Sequence, residues 1–338
     1  MTALQSRAPA NTMLMGEHAV VYGQPALVAA LDQWLTIDWT PLNSPDLIIL
    51  SELANHHTRL AAITPHPKLG FVCDALNYFL PALRQHTPAN QGWQLNISSD
   101  IDSNLGLGSS AAVLAACLVG LNQLSQQSHS LLELWQIGRQ IIRQRQGRGS
   151  AADLAASLFG GVVYLQPETD SEAASSPASE PARITPLNPT SYQGLSLGLV
   201  YAGYKTPTAD VLAWVADHWQ DRPTERDALY HRMGAITQHG YQALEQQAWL
   251  PFYAAVTDYQ DCMAKLGVSD ATLKQLLSLA DAAQLGAAKV SGSGLGDCII
   301  VFSDQAEQID QWFAQAEMQA WSCFSLPITS DGADMIVL

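Results

Sequence analysis

The sequence predicts a layered α/β or α+β chain built in two halves, on three observations. Its 338 residues amount to about two domains' length. Segments with strand and helix periodicity alternate along it. Between the halves, Thr169 to Thr190 is rich in Ser, Pro and Ala and poor in large apolar residues. Such a stretch buries too little surface to offset its ordering entropy, so an exposed loop is expected there. The halves are placed at 1–190 and 191–338.

In the first half, Trp93 to Ser98 alternates apolar and polar residues, the period of a half-buried strand. After a Gly/Ser turn, Ala111 to Leu121 is an apolar run of helix formers. Leu131 to Arg145 carries Leu131, Leu134, Ile137, Ile141 and Ile142 at helical spacing. In the second half, Leu195 to Tyr201 and Cys298 to Phe302 read as buried strands. Val211 to Trp219, Asp227 to Gln246 and Asp270 to Ala283 read as helices. No solenoid-length repeat is visible.

Apolar types make up 48% of the chain and charged types 14%, enough for a substantial core. Sixteen Lys and Arg against 31 Asp and Glu give a net charge of −15. That argues against nucleic acid as a partner, because phosphate backbones are held mainly by Lys and Arg. It leaves room for one local pocket for a small phosphate compound. Five scattered cysteines, with no C-x-x-C pair and no zinc spacing, are expected as reduced thiols in a cytoplasmic protein. No export signal is read at the start of the chain. The longest uncharged run is interrupted by Gly, Asn and Gln, so no membrane span is expected.

Three glycine-rich sites hold the chemistry. Gly106-Leu107-Gly108-Ser109-Ser110-Ala111-Ala112 lies between a strand and an apolar helix. Glycines let the backbone turn tightly, and the helix start offers free amides beside the positive dipole end, so the stretch suits an anion. A Gly turn with a Ser N-cap would use the same residues. Lys289 to Cys298 holds Gly292, Gly294 and Gly296 at alternate positions with Ser between them. Neither stretch is a P-loop or a dinucleotide fingerprint. The third, Gly147-Arg148-Gly149-Ser150-Ala151-Ala152-Asp153, sets one carboxylate among small residues, either a helix cap or a functional acid. Near the start, Gly16-Glu17-His18-Ala19-Val20-Val21-Tyr22-Gly23 puts an acid and a histidine beside an apolar run.

Taken in order, GEHAVVYG, GLGSSAA, GSAADLAASLFGG and KVSGSGLGDC resemble the GHMP superfamily, named for galacto-, homoserine, mevalonate and phosphomevalonate kinases. GEHAVVYG is most similar to the mevalonate kinase branch. The resemblance runs from Pro9 to about Ile300. It implies an α+β, two-domain fold: an N-terminal domain of the ribosomal-protein-S5 domain 2 type and a ferredoxin-like C-terminal domain. It implies ATP and Mg2+ as cofactors and a small hydroxylated molecule as partner, with a homodimer possible by resemblance only. Gly106, Leu107, Gly108, Ser109, Ser110 and Ala111 would wrap the triphosphate, with Ser110 near the metal. Asp153 would face the acceptor hydroxyl. Glu17, His18, Thr208, Gly292, Ser293 and Gly294 would line the substrate pocket.

Two positions depart from the family pattern. Asn11 stands in Ala8-Pro9-Ala10-Asn11 where the family's catalytic lysine is expected, and Ile142 stands where a metal-binding glutamate is common. Arg148 and Lys205 are the nearest candidates for a replacement cation, with Arg148 read as a solvated loop residue. The aspartate loop and the Gly-Asp-Cys ending are more similar to phosphomevalonate kinases. The resemblance thus implies phosphorylation of mevalonate to 5-phosphomevalonate in isoprenoid precursor synthesis. Phosphomevalonate, another acceptor, or a catalytically silent nucleotide-binding protein remain as alternatives.

Overall fold

The computed structural model describes residues 4–102, 105–147, 149–168, 182–315 and 318–337. The first half runs β1 (Leu4–Met15), a 3-10 turn (Ala19–Tyr22), β2 (Ala26–Leu42), β3 (Asp46–Ser51), β4 (Asn55–Arg59) and α1 (Gly70–His86). It continues through β5 (Gly92–Ser99), α2 (Ser109–Leu124), α3 (Leu131–Gln146), α4 (Ala152–Phe159), β6 (Val162–Gln166) and β7 (Arg183–Pro186). The second half runs α5 (Pro189–Tyr192), β8 (Ser196–Tyr201), α6 (Thr208–His218), α7 (Pro223–Glu245), α8 (Trp249–Leu266) and α9 (Ala271–Ala282). It ends with β9 (Ala287–Ser291), β10 (Cys298–Ser303), α10 (Ala306–Phe313), β11 (Ser322–Ser325) and β12 (Asp334–Val337).

The first sheet has the order β12-β1-β2-β5-β3-β4, with β6 on β2 and β7 on β6. Helix α2 lies across it and is buried on nearly every side, which explains why its sequence is apolar without a polar stripe. Gly120 is what lets α2 settle: a Cβ there would come within 2.7 Å of the Trp39 indole. That indole spends its N–H on Ser6 Oγ at 2.8 Å. Helix α3 opens on a full capping box, Ser130 with Glu133, and stops at left-handed Gly147.

The second sheet has the antiparallel order β11-β8-β10-β9. Numbered along the chain this is 4-1-3-2, the ferredoxin-like order, with α6 to α9 between its first two strands. After β11 the chain returns to the first sheet. Asp32 N–H donates to Pro327 O at 2.8 Å, Thr329 N–H to Ala30 O at 3.1 Å, and β12 pairs antiparallel with β1.

The expected loop at 169–190 needs a correction at its far end. Residues 169–181 lie outside the described ones, but Arg183–Pro186 pairs with β6 and Pro189–Tyr192 is helical. Leu187 and Tyr192 are buried, and these few apolar side chains anchor a segment whose average composition reads as coil. Among the described residues no helix is long and apolar enough to cross a membrane. All five cysteines are unpaired, and four are buried.

Candidate active site

One cleft of about 360 Å³ collects residues from both halves. Asn11, Glu17, His18, Gly106, Ser110, Ala111, Asp153, Thr208, Gly292 and Ser293 all line it. Ser109 faces the adjoining cavity of about 300 Å³, which Ser110 also lines. Leu107, Gly108 and Gly294 line neither. The Leu107 side chain is in the core, Asn11 covers Gly108, and Gly294 packs against the Val268 carbonyl.

The anion loop owes its shape to two left-handed glycines, Gly106 at φ 69° and Gly108 at φ 68°. A Cβ on Gly108 would come within 2.2 Å of the Asn11 amide, so the second glycine also admits β1 alongside. The first carbonyl of α2, that of Gly108, accepts from Ala111 and Ala112. The amides of Ser109 and Ser110, at the first two helical positions, have no carbonyl one turn back to bond. They are the donors an anion would take, and Ser110 is exposed to receive one.

Asn11 is 1% exposed and committed to structure. Its Nδ2 donates to Ser157 Oγ at 2.9 Å, and Ser157 Oγ donates to Pro9 O at 2.8 Å. Its backbone N–H donates to Leu107 O at 3.1 Å. The residue therefore stitches β1 to the anion loop and to α4, and brings no charge.

Asp153 sits in the first turn of α4, after Ala151 in a left-handed conformation at φ 57°. It is no cap: the first helical amide, Ala152 N–H, donates to Ser150 Oγ instead, at 3.2 Å. The residue is exposed to the water of the cleft, at a depth where protein surrounds the carboxylate. That depth, with the Glu17 charge second, raises its pKa to about 6. Ile142 also lines the cleft, an apolar wall beside the acid.

Behind the cleft wall at Glu17 lies a buried ion pair that the sequence reading missed. Lys289 Nζ, 0% exposed, donates to Glu17 Oε1 and, at 2.8 Å, to Val290 O. Burial pushes the Glu17 carboxyl up, against the Lys289 charge, and pushes the Lys289 ammonium down. The pairing spans 272 residues of sequence, and the only local signal was a lysine inside an otherwise apolar strand. Tyr259 Oη donates to Glu17 O at 2.8 Å, so α8 also holds this backbone.

His18 stands at φ 59° where the chain leaves β1 for the 3-10 turn. Its Nε2 faces Ser293 O at 2.9 Å; a carbonyl only accepts, so Nε2 carries the proton. Burial lowers the ring's pKa and keeps it neutral. Its Nδ1 is then a buried acceptor without a partner among the described residues, as is Glu17 Oε2. Across the cleft, Lys205 Nζ lies 3.7 Å from Asp297 Oδ2. Sequence reading named Lys205 as a replacement cation and used Asp297 only as part of the Gly-Asp-Cys ending, giving it no place in the site. Arg148 lies outside the described residues.

Nucleotide and metal can be tested against these residues. The glycine turn, free amides and exposed serine fit a polyphosphate. The adjoining cavity, walled by Leu35, Val72, Ile97, Ile101 and Val113, with Phe71 lining both cavities, fits a flat apolar ring. Among the described residues no group of three or more His, Cys, Asp or Glu can hold a metal. The Ser110 hydroxyl and the cleft carboxylates suit a hard cation such as Mg2+ that keeps phosphate and water oxygens as most of its ligands.

Comparison with known proteins agrees with this geometry. Residues 71–161 match the GHMP kinases N terminal domain and residues 241–316 the GHMP kinases C terminal domain. The mevalonate kinase of Methanothermobacter thermautotrophicus is 25% identical over 293 residues, covering 87% of this chain and 88% of that one. The Lin0012 protein of Listeria innocua superposes with a TM-score of 0.85 at 21% identity, covering 99% of both chains. Streptococcus pneumoniae phosphomevalonate kinase, solved with phosphomevalonate and AMPPNP, gives 0.75 at 17% identity, covering 99% of this chain and 100% of that one. With both domains matched in order and a cleft shared between them, the chain belongs to the GHMP kinase family and is an ATP-dependent small-molecule kinase.

Proposed function

We propose that the chain transfers the γ-phosphoryl group of ATP to the hydroxyl of a small hydroxy acid, with mevalonate as the acceptor and 5-phosphomevalonate as the product. The observation that carries this reading is that Asp153 and Ser110, whose amide is free at the start of α2, line one cleft. In the transfer, the acceptor oxygen forms a bond to the γ-phosphorus, the bond from that phosphorus to the β–γ bridging oxygen breaks, and ADP leaves. The hydroxyl proton goes to Asp153, whose pKa near 6 keeps it ionised at neutral pH yet basic enough to accept. The amides of Ser109 and Ser110 hold the polyphosphate. A bound Mg2+ near Ser110 would neutralise phosphate charge. His18 Nδ1 accepts from a donor on the acceptor, with Thr208 opposite, while the Gly292–Gly294 turn holds the His18 ring through the Ser293 carbonyl. The reading carries a domain division near residue 190, with residues 334–337 returned to the first sheet.

Phosphomevalonate is the second reading, favoured by the Gly296-Asp297-Cys298 ending of the last glycine loop. An acceptor that already bears a phosphate needs cations around it. Among the described residues lining the cleft, Lys205 is the one Lys or Arg, which supports the less charged acceptor. A coupled ADP-release assay with mevalonate and phosphomevalonate in parallel decides between them. In the same assay Asp153→Ala should lose about 10²–10⁴-fold in turnover while binding nucleotide nearly as before. Undiminished turnover in that variant rejects the assigned base.

A further inference from the structure

Resting on the kinase reading, we propose that Lys205 is the cation that meets the terminal phosphate, and that Asp297 is the positioning residue that holds it until nucleotide arrives. A triphosphate brings several negative charges into a cleft that already contains Glu17, Asp153 and Asp297, on a chain of net charge −15. Alongside Mg2+, a cation of the protein is needed to meet it. Lys289 is sealed, 0% exposed and bonded to Glu17 and Val290 O. Asn11 is neutral, its amide spent on Ser157. Among the described residues lining the cleft, only Lys205 carries a mobile positive charge.

Its placement suits the task. Asp297 Oδ2 lies 3.0 Å from where a Cβ on Gly106 would stand, so the pair sits directly against the anion loop of the opposite half. The backbone around Lys205 is pegged to the last glycine loop. Ala202 N–H donates to Asp297 O at 2.8 Å, Asp297 N–H to Tyr204 O at 2.7 Å, and Thr206 Oγ1 to Leu295 O at 2.5 Å. Asp297 keeps a left-handed conformation, φ 71°, which aspartate tolerates better than most non-glycine residues. The ammonium itself stays loose: 3.7 Å from its partner, beyond a hydrogen bond, on a side chain 36% exposed. A fixed root with a loosely held head allows the ammonium to exchange the Asp297 carboxylate for phosphate oxygen without moving the chain.

The test uses the full-length protein with mevalonate, ATP and Mg2+, and compares Lys205→Met, Lys205→Arg and Asp297→Asn with wild type. Lys205→Met should lower kcat about 10²-fold and erase the preference for AMPPNP over ADP in calorimetry, because the lost contact is to the third phosphate. Lys205→Arg should recover most of the turnover. Asp297→Asn should lower KM for ATP, by removing a competing anion, and lower kcat, by releasing the lysine. Lys205→Met with wild-type kcat and an unchanged AMPPNP-to-ADP affinity ratio overturns the inference and leaves the kinase reading standing. So does an arginine variant no better than the methionine one. Wild-type protein that binds no nucleotide overturns the kinase reading, and this inference with it.

Discussion

The two ion pairs of the cleft join the same functional groups and behave as opposites. Glu17 and Lys289 are 3% and 0% exposed at the side chain, while Lys205 and Asp297 are 36% and 11% exposed. In the first pair each charge is the one opposite charge that answers the other's burial, with the Val290 carbonyl adding a bond to Lys289, so neither can leave without stranding its partner. In the second, water and incoming anions can replace either member. On the proposed reading the same chemistry gives a fixed wall at the acceptor end and an exchangeable clasp at the phosphate end, and depth and pairing distance make the difference.

The comparison can be broken hardest at its buried side. Lys289→Met should cost about 3–5 kcal/mol in urea unfolding, because Glu17 is left charged and alone. The double variant Glu17→Leu with Lys289→Met should recover much of that loss; a double variant as unstable as the single one would show that packing, not charge, holds the wall. Next in size is the pH response of Asp153. With its pKa raised to about 6, Asp153 protonates as pH falls through that value, so kcat/KM for mevalonate should drop about tenfold per pH unit below it. The sign for stability is opposite to that of an ordinary paired acid. Above the unfolded value of about 4 the folded state holds the ionised acid at a disadvantage. Asp153→Asn should therefore raise Tm at pH 7, by a small amount because the residue is exposed to the cleft, with the gain gone near pH 4. A flat activity profile between pH 5 and 7 would remove Asp153 as base.

Two smaller effects sharpen the contrast. Asn11→Ala should cost about 1 kcal/mol of stability, the worth of its hydrogen bond to Ser157, since its role is to join β1, the anion loop and α4. Raising salt to 1 M, where screening reaches within about 3 Å, should weaken ATP binding through the clasp in wild type more than in Lys205→Met. The Glu17–Lys289 contribution to unfolding should barely respond. Equal salt dependence in wild type and Lys205→Met would mean that the rim lysine never meets the phosphates.

Much of this was legible in the chain. The strand before GLGSSAA and the helix after it came from local periodicity, because apolar spacing reports the face an element buries. Helix α2 begins at Ser109, two residues before the apolar run from Ala111, since the serines supply its uncapped first amides. Motif order along the sequence was enough to name Asp153, Glu17, His18 and the glycine loops together. The stretch near 183–192 was misread because its average composition hides Leu187 and Tyr192, which bury against the first half.

By itself, then, the sequence determined the layered fold and the glycine turns, set by local patterning and by what glycine alone can adopt, while Asp153 was singled out only through the order of the family-like motifs. Tertiary structure decided the rest. It carried Lys289 across 272 residues to Glu17, seated Asn11 against Gly108, and brought Asp297 opposite Gly106. The reason is physical: the charge state and the role of an ionisable group depend on its depth and on its partner, and both are contributed by residues far away along the chain.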